Sequence, residues 1–582
     1  MEKPDRAFLD GLKKCRDAMY AEGEVTTLKQ LLTLSKKHYT GRVQFAEKIK
    51  KETVYYSVDR FYDDVSKLGQ SLLNMGLHGG NAAIVGENSY AWLTAFFAAN
   101  CSGNVAVPLD RELNDEKLVE LAEKGDCEVM FFTPSYSSTA KQFLSGSDGR
   151  YAICISGTPR GDGFYKAEEL KQRIDDITQF ESITPDKDDT AAIVFTSGTT
   201  GANKGVCLSH GNFCSNFSDI ALLSRPVSTA ISVLPMNHTY ELSCIELTAI
   251  YTNTILYIND SLRNFAANMK SFKPEAMAAV PKLMSVIYDG IVEKAEKSGR
   301  LEKLQKGAKL SSTLLKHHID IRHILFKDII KEFGYALPLI SVGGAPIDCE
   351  KAAFLEAIGF KIYAGYGLTE GSPIVTLNCD VAADAKNVGV SLPGCEIRIA
   401  DPDEDGTGEI EIRGKNVTHG YYKDEEADRV SFTPDGWFRT GDYGRLGKNR
   451  ELYIAGRKKN IIILDNGKNI YTEELEEHFM QGDRLIKEAV VLVVENETPH
   501  GTKKHLALAV AVDPDAVGDR TGEQLEADVN SAVAKLNRSL PPYEKIADVM
   551  TVVGEFNKTS TMKIIRRDVE EMYCAYRKGR EE

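Results

Sequence analysis

Along the first part of the chain, segments with apolar residues at helical spacing alternate with short continuous apolar runs. Residues 60–77 carry apolar side chains at helical spacing, glycines then interrupt the pattern, and residues 82–85 form a short apolar run typical of a buried strand. Similar runs occur at 104–108, 127–133 and 151–156. Because these runs alternate with helical segments, the pattern predicts doubly wound α/β sheets.

The two ends of the chain depart from this alternation. Residues 1 to about 50 have the charged, amphipathic pattern of helices. Short strands and turns over 389–412 predict a small β-barrel-like unit. Beyond about residue 460, strand-like runs at 488–495 and 505–512, together with an amphipathic helix, predict a compact α+β module.

Composition narrows the class of protein. A chain of 582 residues exceeds one ordinary hydrophobic core, and its formal net charge of −14 disfavours general binding to nucleic acid or to anionic membranes. The 11 cysteines include no Cys-x-x-Cys pair, which favours reduced thiols in a cytoplasmic protein. The start shows no secretory signal, and polar residues and a proline break the apolar stretch 91–109, so we expect no transmembrane segment.

A run of hydroxyl-bearing residues and glycines follows a strand-like segment, 191–195, near the middle of the chain. The run consists of Thr196, Ser197, Gly198, Thr199, Thr200 and Gly201, and Lys204 follows it closely. Glycines let several backbone N–H groups converge on one anion, hydroxyls add donors, and a lysine adds a charge suited to phosphate. The local chemistry therefore predicts a loop that binds a nucleotide polyphosphate.

Two other interpretations compete with this one. The composition is also that of a flexible linker, although a linker would not be expected to emerge from a buried strand. A Walker A loop requires Gly-x-x-x-x-Gly-Lys-Ser/Thr. Here Asn203 stands at the second glycine position and Gly205 stands where the hydroxyl should be, so the Walker pattern fails.

Two further candidates follow strand-like runs downstream. His238 comes just after the run 231–235, although a lone histidine is more often structural. Gly343 and Gly344 would let a flat ring lie against bare backbone, but an ordinary strand-to-helix turn explains them equally well.

Later segments carry carboxylates beside glycines. In Gly365-Tyr-Gly-Leu-Thr-Glu370 the aromatic ring could stack on a purine, and the hydroxyl and carboxylate could contact a phosphate and its Mg²⁺. A helix cap explains Thr369 and Glu370 as well. Asp442 could accept both hydroxyls of a ribose, whereas an aspartate after Gly441 is more commonly a turn residue.

Ordered motifs covering about residues 50 to 570 resemble those of the adenylate-forming superfamily. That superfamily includes acyl-CoA synthetases, the adenylation domains of peptide synthetases and luciferases. The motifs that carry the resemblance are Phe195-Thr-Ser-Gly-Thr-Thr-Gly-Ala-Asn-Lys-Gly205, Gly365-Tyr-Gly-Leu-Thr-Glu370, Gly408-Glu-Ile-Glu-Ile-Arg-Gly414, Trp437-Phe-Arg-Thr-Gly-Asp442, Tyr453-Ile-Ala-Gly-Arg-Lys-Lys-Asn460 and Asn557-Lys-Thr-Ser-Thr-Met-Lys563.

The resemblance implies two domains. Residues 1–456 would form a large adenylate-forming domain of two doubly wound α/β subdomains plus a small β-barrel, and residues 457–582 a small mobile α+β domain. It further implies that the small domain rotates between two half-reactions about a hinge at Lys459.

The same resemblance assigns the site residues. Lys563 would neutralise charge during adenylation, although Met562 stands where members of the superfamily often have glycine. His238 would lie beside the acyl group, and Thr369 would bind the α-phosphate. Glu370 and Thr196 would hold Mg²⁺. The residues assigned to ATP or AMP are Thr196, Ser197, Gly198, Thr199, Thr200, Gly201, Lys204, Gly344, Ala345, Pro346, Gly365, Tyr366, Gly367, Leu368, Thr369, Asp442 and Arg457.

The reaction implied is the activation of a carboxylic acid by ATP, followed by transfer of the acyl group to the thiol of coenzyme A. Tyr240 and Glu241 after His238, and the segment 273–281, resemble the long-chain fatty acid branch. The alternatives are an acyl carrier protein as acceptor, a medium-chain or aryl acid, and a nucleotide-binding regulatory protein that has lost its activity. No nucleic-acid partner and at most peripheral membrane contact are expected.

Overall fold

Strands and helices alternate through most of the chain in the computed structural model, which describes residues 6–50, 52–197, 203–333, 338–381, 384, 386–463, 469–498, 501–558 and 564–581. The strands are β1 Val43–Ile49, β2 Glu52–Ser57, β3 Asn81–Val85, β4 Val105–Pro108, β5 Cys127–Phe132, β6 Tyr151–Cys154, β7 Tyr165–Lys166, β8 Thr190–Ser197, β9 Asn203–Ser209, β10 Thr229–Ser232, β11 Ile255–Ile258, β12 Ala276–Ala279, β13 Leu339–Val342, β14 Lys361–Gly367, β15 Ile374–Asn378, β16 Val390–Ser391, β17 Cys395–Ala400, β18 Gly408–Gly414, β19 Gly420–Tyr421, β20 Phe438–Leu446, β21 Leu452–Arg457, β22 Ile462–Ile463, β23 Asn469–Ile470, β24 Glu488–Thr498, β25 Gly501–Val512 and β26 Ile546–Val553.

The α-helices are α1 Arg6–Tyr20, α2 Leu28–Tyr39, α3 Val58–Asn74, α4 Tyr90–Cys101, α5 Asp115–Lys124, α6 Ser137–Ser145, α7 Ala167–Gln172, α8 Thr178–Ser182, α9 His210–Leu223, α10 Thr239–Glu241, α11 Thr248–Thr252, α12 Phe265–Phe272, α13 Pro281–Lys297, α14 Leu301–Leu315, α15 Arg322–Leu325, α16 Lys327–Phe333, α17 Cys349–Ile358, α18 Glu425–Ser431, α19 Thr472–Gly482, α20 Pro514–Val517, α21 Gly522–Leu536 and α22 Arg566–Glu581. A π-helical segment, Leu242–Leu247, joins α10 to α11. Short 3₁₀ turns include Thr369–Gly371 and Lys458–Asn460.

Close contacts divide the chain into two compact units. Unit 1 consists of Met1–Ile397 and Ile412–Phe438, and unit 2 consists of Arg398–Glu411 and Arg439–Glu582. The domain boundary predicted after residue 456 stays a prediction.

Unit 1 is built on two large sheets. One has nine strands in the order β16-β15-β14-β13-β12-β10-β11-β1-β2, and its strands from β14 to β1 run parallel to one another. The other has eight strands in the order β19-β9-β8-β4-β3-β5-β6-β7, and its central strands are also parallel. In both sheets the order departs from the chain order, as it does when helices cross over between parallel strands. The predicted fold class is confirmed.

Helix α4 and strand β4 account for the apolar stretch 91–109. The hydroxyl of Ser89 caps α4 by accepting a hydrogen bond from Trp92 N, and nearly the whole helix is buried. A helix that is apolar all round is typical of a large protein core as well as of a membrane. Within the described ranges, no helix is long and apolar enough to cross a membrane.

The first 50 residues only partly follow the sequence prediction. Helices α1 and α2 are present, but Val43–Ile49 is a strand that pairs with β2 and β11. Its inner residues Phe45 and Ala46 are fully buried against the nine-stranded sheet. Sheet pairing at a distant strand, which a local pattern does not reveal, therefore decides this segment.

The three-stranded sheet of unit 2 is covered on both faces. Alternate residues of β24 point to opposite sides, so that Val491 packs in one cluster with helices α19 and α21, whereas Val490 and Leu492 pack in another with α22. This two-sided burial produces the continuous apolar run seen in the sequence. The predicted α+β module corresponds to this arrangement.

A separate four-stranded sheet has the order β17-β18-β20-β21. A small β-barrel was expected over residues 389–412. Among the described strands this sheet is open, because β17 and β21 at its two edges do not pair with each other.

Candidate nucleotide and acid site

The hydroxyl-rich loop connects two antiparallel strands. Thr196 lies opposite Lys204, and Ser197 lies opposite Asn203, in the hairpin of β8 and β9. A Walker A loop leads from a strand into a helix, so the strand that follows here excludes that interpretation. Gly198, Thr199, Thr200 and Gly201, which were assigned to phosphate binding, lie outside the described residues.

Tyr421 links this hairpin to the carboxylate assigned to Mg²⁺. The Nζ atom of Lys204 lies 5.0 Å from the centroid of the Tyr421 ring, within the range of a cation–π contact. The hydroxyl of Tyr421 donates to Oε1 of Glu370 at 2.9 Å. Burial, reinforced by the charge of Glu370, raises the pKa of Tyr421 and keeps this donor protonated. No motif pointed to Tyr421, because the pairing of β19 with β9 brings it there.

The backbones of β14 and of the segment that leads into β15 approach each other closely, and this approach requires the glycines of the 365–370 motif. A Cβ atom at Gly367 would lie 2.0 Å from the carbonyl oxygen of Pro373, and one at Gly365 would lie 3.2 Å from that of Thr376. Leu368 N donates to the same Pro373 oxygen at 3.0 Å. The tight return from β14 to β15 therefore requires glycine at positions 365 and 367. Tyr366, between these two glycines in the chain, is half-buried.

The side chains of Thr369 and Glu370 do not cap a helix. Thr369 begins a three-residue 3₁₀ turn, and no side-chain cap is formed there. Its hydroxyl makes no hydrogen bond to any residue that the structure describes. The helix-cap interpretation of this motif is therefore wrong, and the hydroxyl remains available to a ligand.

Glu370 suits Mg²⁺ by its donor chemistry. Oε1 accepts from Tyr421, which leaves Oε2 without a hydrogen-bond partner in the described part of the chain. Those residues contain no group of three or more His, Cys, Asp or Glu side chains that could enclose a metal. Mg²⁺ commonly takes one or two protein carboxylates and completes its oxygen ligands with phosphates and water, so one glutamate with the Thr196 hydroxyl fits this ion.

Gly344, Ala345 and Pro346 follow β13 and are exposed. Gly344 adopts φ +87°, a left-handed conformation that favours glycine. Beneath it, a Cβ at Gly343 would lie 3.2 Å from the ring of Tyr240, whose hydroxyl donates to the carbonyl oxygen of Ser341 at 2.8 Å. Tyr240 thus supports the turn from below and leaves its upper backbone bare.

Asn88 holds the segment that carries His238. Its Nδ2 donates to the carbonyl oxygen of Leu234 at 2.7 Å, and its Oδ1 accepts from Met236 N at 3.1 Å. Asn88 lies far from His238 in the chain and in no motif, so no pattern in the sequence indicated it. His238 is half-buried at the end of this segment.

The parallel strands bring these groups to one edge. His238 follows β10, Gly344 follows β13, and Gly365 to Glu370 end β14, and β10, β12, β13 and β14 are neighbours in the sheet. The carboxyl ends of parallel strands form the usual ligand-binding edge of an α/β sheet. Unit 1 therefore collects three separate sequence motifs at one edge.

Unit 2 contains a second pair of predicted residues. Nε of Arg457 lies 2.8 Å from Oδ1 of Asp442, and the two residues are directly paired on β20 and β21. Asp442 is only 3% exposed, and its N–H donates to the Thr440 hydroxyl. Asp442 lies within a strand, so its interpretation as a turn residue is wrong.

The three cations at 457–459 have different surroundings. Lys458 pairs with Glu409 at 2.5 Å, and this hydrogen bond raises the pKa of Lys458. Burial, together with the nearby charges of Arg457 and Arg566, lowers the pKa of Lys459. Lys459 forms no ion pair with any described residue. Lys563, the predicted adenylation lysine, lies outside the described residues.

We expect Gly367→Ala to destabilise the protein by about 1–3 kcal/mol, because the new methyl group overlaps the Pro373 carbonyl. Urea unfolding measures this change. Gly290→Ala is the matched control, since a Cβ there meets no heavy atom within 4 Å on helix α13, and it should stabilise by roughly 0.5–1 kcal/mol. Equal stability of the two variants would contradict the close-approach explanation.

Comparison with known protein families gives two matches. The model described as "AMP-binding enzyme" matches residues 35–422, and the model described as "AMP-binding enzyme C-terminal domain" matches residues 459–576.

Individual relatives are distant. A long-chain-fatty-acid–CoA ligase of Mycobacterium bovis is 26% identical over 547 residues, which cover 87% of this chain and 88% of the relative. A chloroplastic long-chain-fatty-acid–[acyl-carrier-protein] ligase of Arabidopsis thaliana is 25% identical, covering 84% of this chain and 78% of the relative.

Solved structures share the fold. ATP-bound MatB from Rhodopseudomonas palustris superposes with a TM-score of 0.74 at 20% identity, over 94% of this chain and 99% of that one. The anthranilate CoA ligase AuaEII, in complex with anthranoyl-AMP, superposes with a TM-score of 0.73 at 16% identity, over 94% and 97% of the two chains.

Proposed function

The chain belongs to the AMP-binding enzyme family, and from that premise we propose that it is a long-chain fatty acid–CoA ligase. Membership confirms the recognition made from the motifs, and with it an AMP-forming ligase that activates a carboxylic acid. ATP, Mg²⁺ and coenzyme A are the substrates and cofactor of ligases of this kind, as the resemblance to the superfamily implied. A cytoplasmic location is part of the proposal.

The chemistry consists of two displacements. A carboxylate oxygen of the acid attacks the α-phosphorus of ATP, and the bond to the pyrophosphate leaving group breaks, which gives acyl-AMP. The CoA thiol, having lost its proton, then attacks the acyl carbon and expels AMP. Because hydroxide is a poor leaving group and AMP a good one, the first step makes the second feasible. The protein contributes mainly positioning and charge stabilisation.

The single observation that supports the ligase activity is the shared edge of the nine-stranded sheet. His238, the bare backbone at Gly344 and the Gly365–Glu370 motif all lie there. We assign His238 to the acid, Gly344 with Ala345 and Pro346 to the face of adenine, and Tyr366 to a stack on the same ring.

The hydroxyl-rich hairpin and Thr369 are assigned to the phosphates. Lys204 and Thr369 would stabilise charge on them, and Glu370 with Thr196 would hold Mg²⁺, which neutralises phosphate charge when bound. Asp442 is assigned to the ribose hydroxyls and Arg457 to ribose and phosphate. The strong contact between these two residues would preset the carboxylate for that role.

An apolar cavity favours a hydrocarbon acid. It runs along the face of the nine-stranded sheet, between that sheet and the helix that follows His238. Its lining includes Cys244, Ile245 and Thr248 on the helix, and Met277, Ser341 and Leu377 on strands. Ser341, which lines the cavity, also accepts a hydrogen bond from the hydroxyl of Tyr240, two residues after His238 in the chain.

The cavity is narrow as it stands. Its volume is about 90 Å³, whereas ligand pockets usually measure about 300–1,000 Å³. A long acyl chain must therefore move the helical wall aside. A shorter or aryl acid is the second candidate, since it would demand less movement, and an acyl carrier protein is the second candidate for the acceptor.

We expect acid-dependent release of pyrophosphate to be highest with saturated acids of about twelve or more carbons. The assay compares acids of two to twenty carbons and benzoate, with CoA or a phosphopantetheinylated carrier protein as acceptor. A preference for benzoate or for acids below eight carbons would contradict the long-chain assignment. ATP binding with no release for any acid would instead indicate a nucleotide-binding protein without activity.

Leu377→Trp should shift the preferred acid to a shorter chain, because Leu377 is 7% exposed and lines the cavity. Activity with short acids should remain within about threefold of the parent. Leu222→Trp is the matched control, since Leu222 is 74% exposed and lies outside the cavity lining. An unchanged optimum in Leu377→Trp would show that the acyl chain lies elsewhere.

Lys563→Ala should reduce adenylation by about 10²–10³-fold, because it removes a cation from developing charge on the phosphate. Thioester formation from added acyl-AMP and CoA should persist. Lys545→Ala, at an exposed position of the same unit, should change neither step. Loss of both steps in a folded Lys563→Ala variant would refute this division of labour.

Lys459→Pro should slow the complete reaction much more than either half-reaction measured alone, because proline restricts the backbone at the proposed hinge. Stopped-flow measurement of both half-reactions checks this. Lys458→Ala serves as the comparison, since it breaks the contact with Glu409 without restricting the backbone. If Lys459→Pro keeps the full rate of the complete reaction and of both half-reactions, the hinge lies elsewhere.

A further inference from the structure

One buried glutamate directly precedes the π-helical segment that follows His238, and a second lies within it. Glu241 and Glu246 are both 0% exposed. They are five residues apart: Glu246 belongs to the π-helical segment Leu242–Leu247, which begins directly after Glu241. A π-helix forms i→i+5 hydrogen bonds, so residues at this spacing lie on the same side. The π segment therefore brings both carboxyl groups to the sheet.

Both carboxyl groups contact the end of strand β10. Val233 N donates to Oε1 of Glu241 at 2.7 Å, and the Ser232 hydroxyl donates to Oε1 of Glu246 at 2.7 Å. The second oxygen, Oε2, of each glutamate has no hydrogen-bond partner among the described residues. Neither glutamate forms an ion pair with a described Lys, Arg or His. The titratable groups that face them are Tyr240 and Cys244 on their own helical element.

Two negative charges cannot persist in these surroundings. Burial without a counter-ion strongly disfavours an ionised carboxyl, and a second carboxylate nearby disfavours it further. Burial raises the pKa of Glu241, and burial together with the charge of Glu241 raises the pKa of Glu246.

The two members of the pair differ in their donors. The Ser232 hydroxyl interacts with both carboxyl groups, but Glu241 also accepts from the backbone N–H groups of Val233 and Leu234, which favour its ionised form, whereas Glu246 has besides that hydroxyl only its own backbone. The proton therefore belongs on Glu246.

We propose that this pair is a positioning element of the active site: Glu241 fixes the start of the segment that carries His238, and Glu246 keeps a proton at neutral pH, so that the pair holds no more than one charge. The inference rests on the proposed function in one respect, that His238 lies beside the acid.

The pair also joins two parts of the site. Val233 and Ser232 lie just before the segment that Asn88 holds, while Cys244 and Ile245 within the π segment line the apolar cavity. Movement of the helical wall by an acyl chain would therefore be transmitted to His238 through the two carboxyl groups. The position of the acid's carboxylate and the filling of the cavity are thereby coupled.

The proton on Glu246 predicts a pH-dependent stability. A carboxyl that stays protonated in the folded state but ionises in the unfolded state releases its proton on unfolding, above the ordinary glutamate pKa of 4.5. Stability must then fall as pH rises. Relative to Glu246→Gln, the unfolding equilibrium constant of the parent should increase by up to about tenfold per pH unit between pH 5.5 and 7.5.

Urea unfolding of the unliganded protein at several pH values measures this difference. Other buried carboxyls, such as Glu356, contribute equally to both proteins and cancel. If the stabilities of the parent and of Glu246→Gln depend on pH in the same way, Glu246 does not keep its proton in the folded state. Because no substrate is present, this result does not depend on which acid the enzyme activates.

Kinetics test the positioning role. Glu241→Ala leaves Val233 N–H without its acceptor, and kcat/KM for the acid should fall at least tenfold while KM for ATP stays within twofold. Glu241→Gln keeps an acceptor oxygen and should recover activity to within about threefold of the parent.

Glu356→Ala is the matched control for this measurement. Glu356 is also buried, its Oε1 accepts from Ile362 N at 3.2 Å, and its Oε2 has no partner among the described residues. Its loss should leave KM for the acid within twofold. Equal effects of Glu241→Ala and Glu356→Ala on kcat/KM for the acid would overturn the positioning role. If Glu241→Ala aggregates, Glu241→Gln decides the test. This variant must then retain both activity and a KM for the acid close to that of the parent.

Discussion

The parallel alignment of β10, β12, β13 and β14 is the constraint on which the site depends. The backbone hydrogen bonds between these short strands force all four carboxyl ends to the same edge. Three segments that are far apart in the chain therefore meet without needing direct contacts among their side chains. A rigid sheet can present the groups at such an edge with little loss of conformational freedom.

Backbone approach and buried polar groups set the finer geometry. The absence of a side chain at Gly367 lets β14 and β15 close on each other, and Tyr240 and Asn88 hold the neighbouring turns by hydrogen bonds to main-chain atoms. Glu241 does the same for Val233 from beneath. These supporting groups contact backbone, so that a mutation in any of them would move a segment as a whole.

Tyr421 illustrates how a site gains a member that no motif contains. It reaches Glu370 and Lys204 only because β19 pairs with the edge of the eight-stranded sheet. The paired contact of Asp442 with Arg457 in unit 2 has the same origin, since adjacent strands place both side chains opposite each other. Cross-strand partners of this kind depend on register, which a single sequence does not specify by local pattern.

The sequence by itself determined the alternation of strands and helices and the loop-forming motifs, because period, glycine placement and phosphate-binding chemistry are local properties. The reaction class followed from the resemblance of the ordered motifs to those of the adenylate-forming superfamily. Only the tertiary structure decided that Val43–Ile49 is a strand, that the sheet β17-β18-β20-β21 stays open, and that Asn88, Tyr421 and the two buried glutamates make the hydrogen bonds described above. The physical reason is the same in each case: strand pairing, burial and hydrogen bonding join residues that are distant in the chain, and their energies depend on neighbours that the local sequence does not contain.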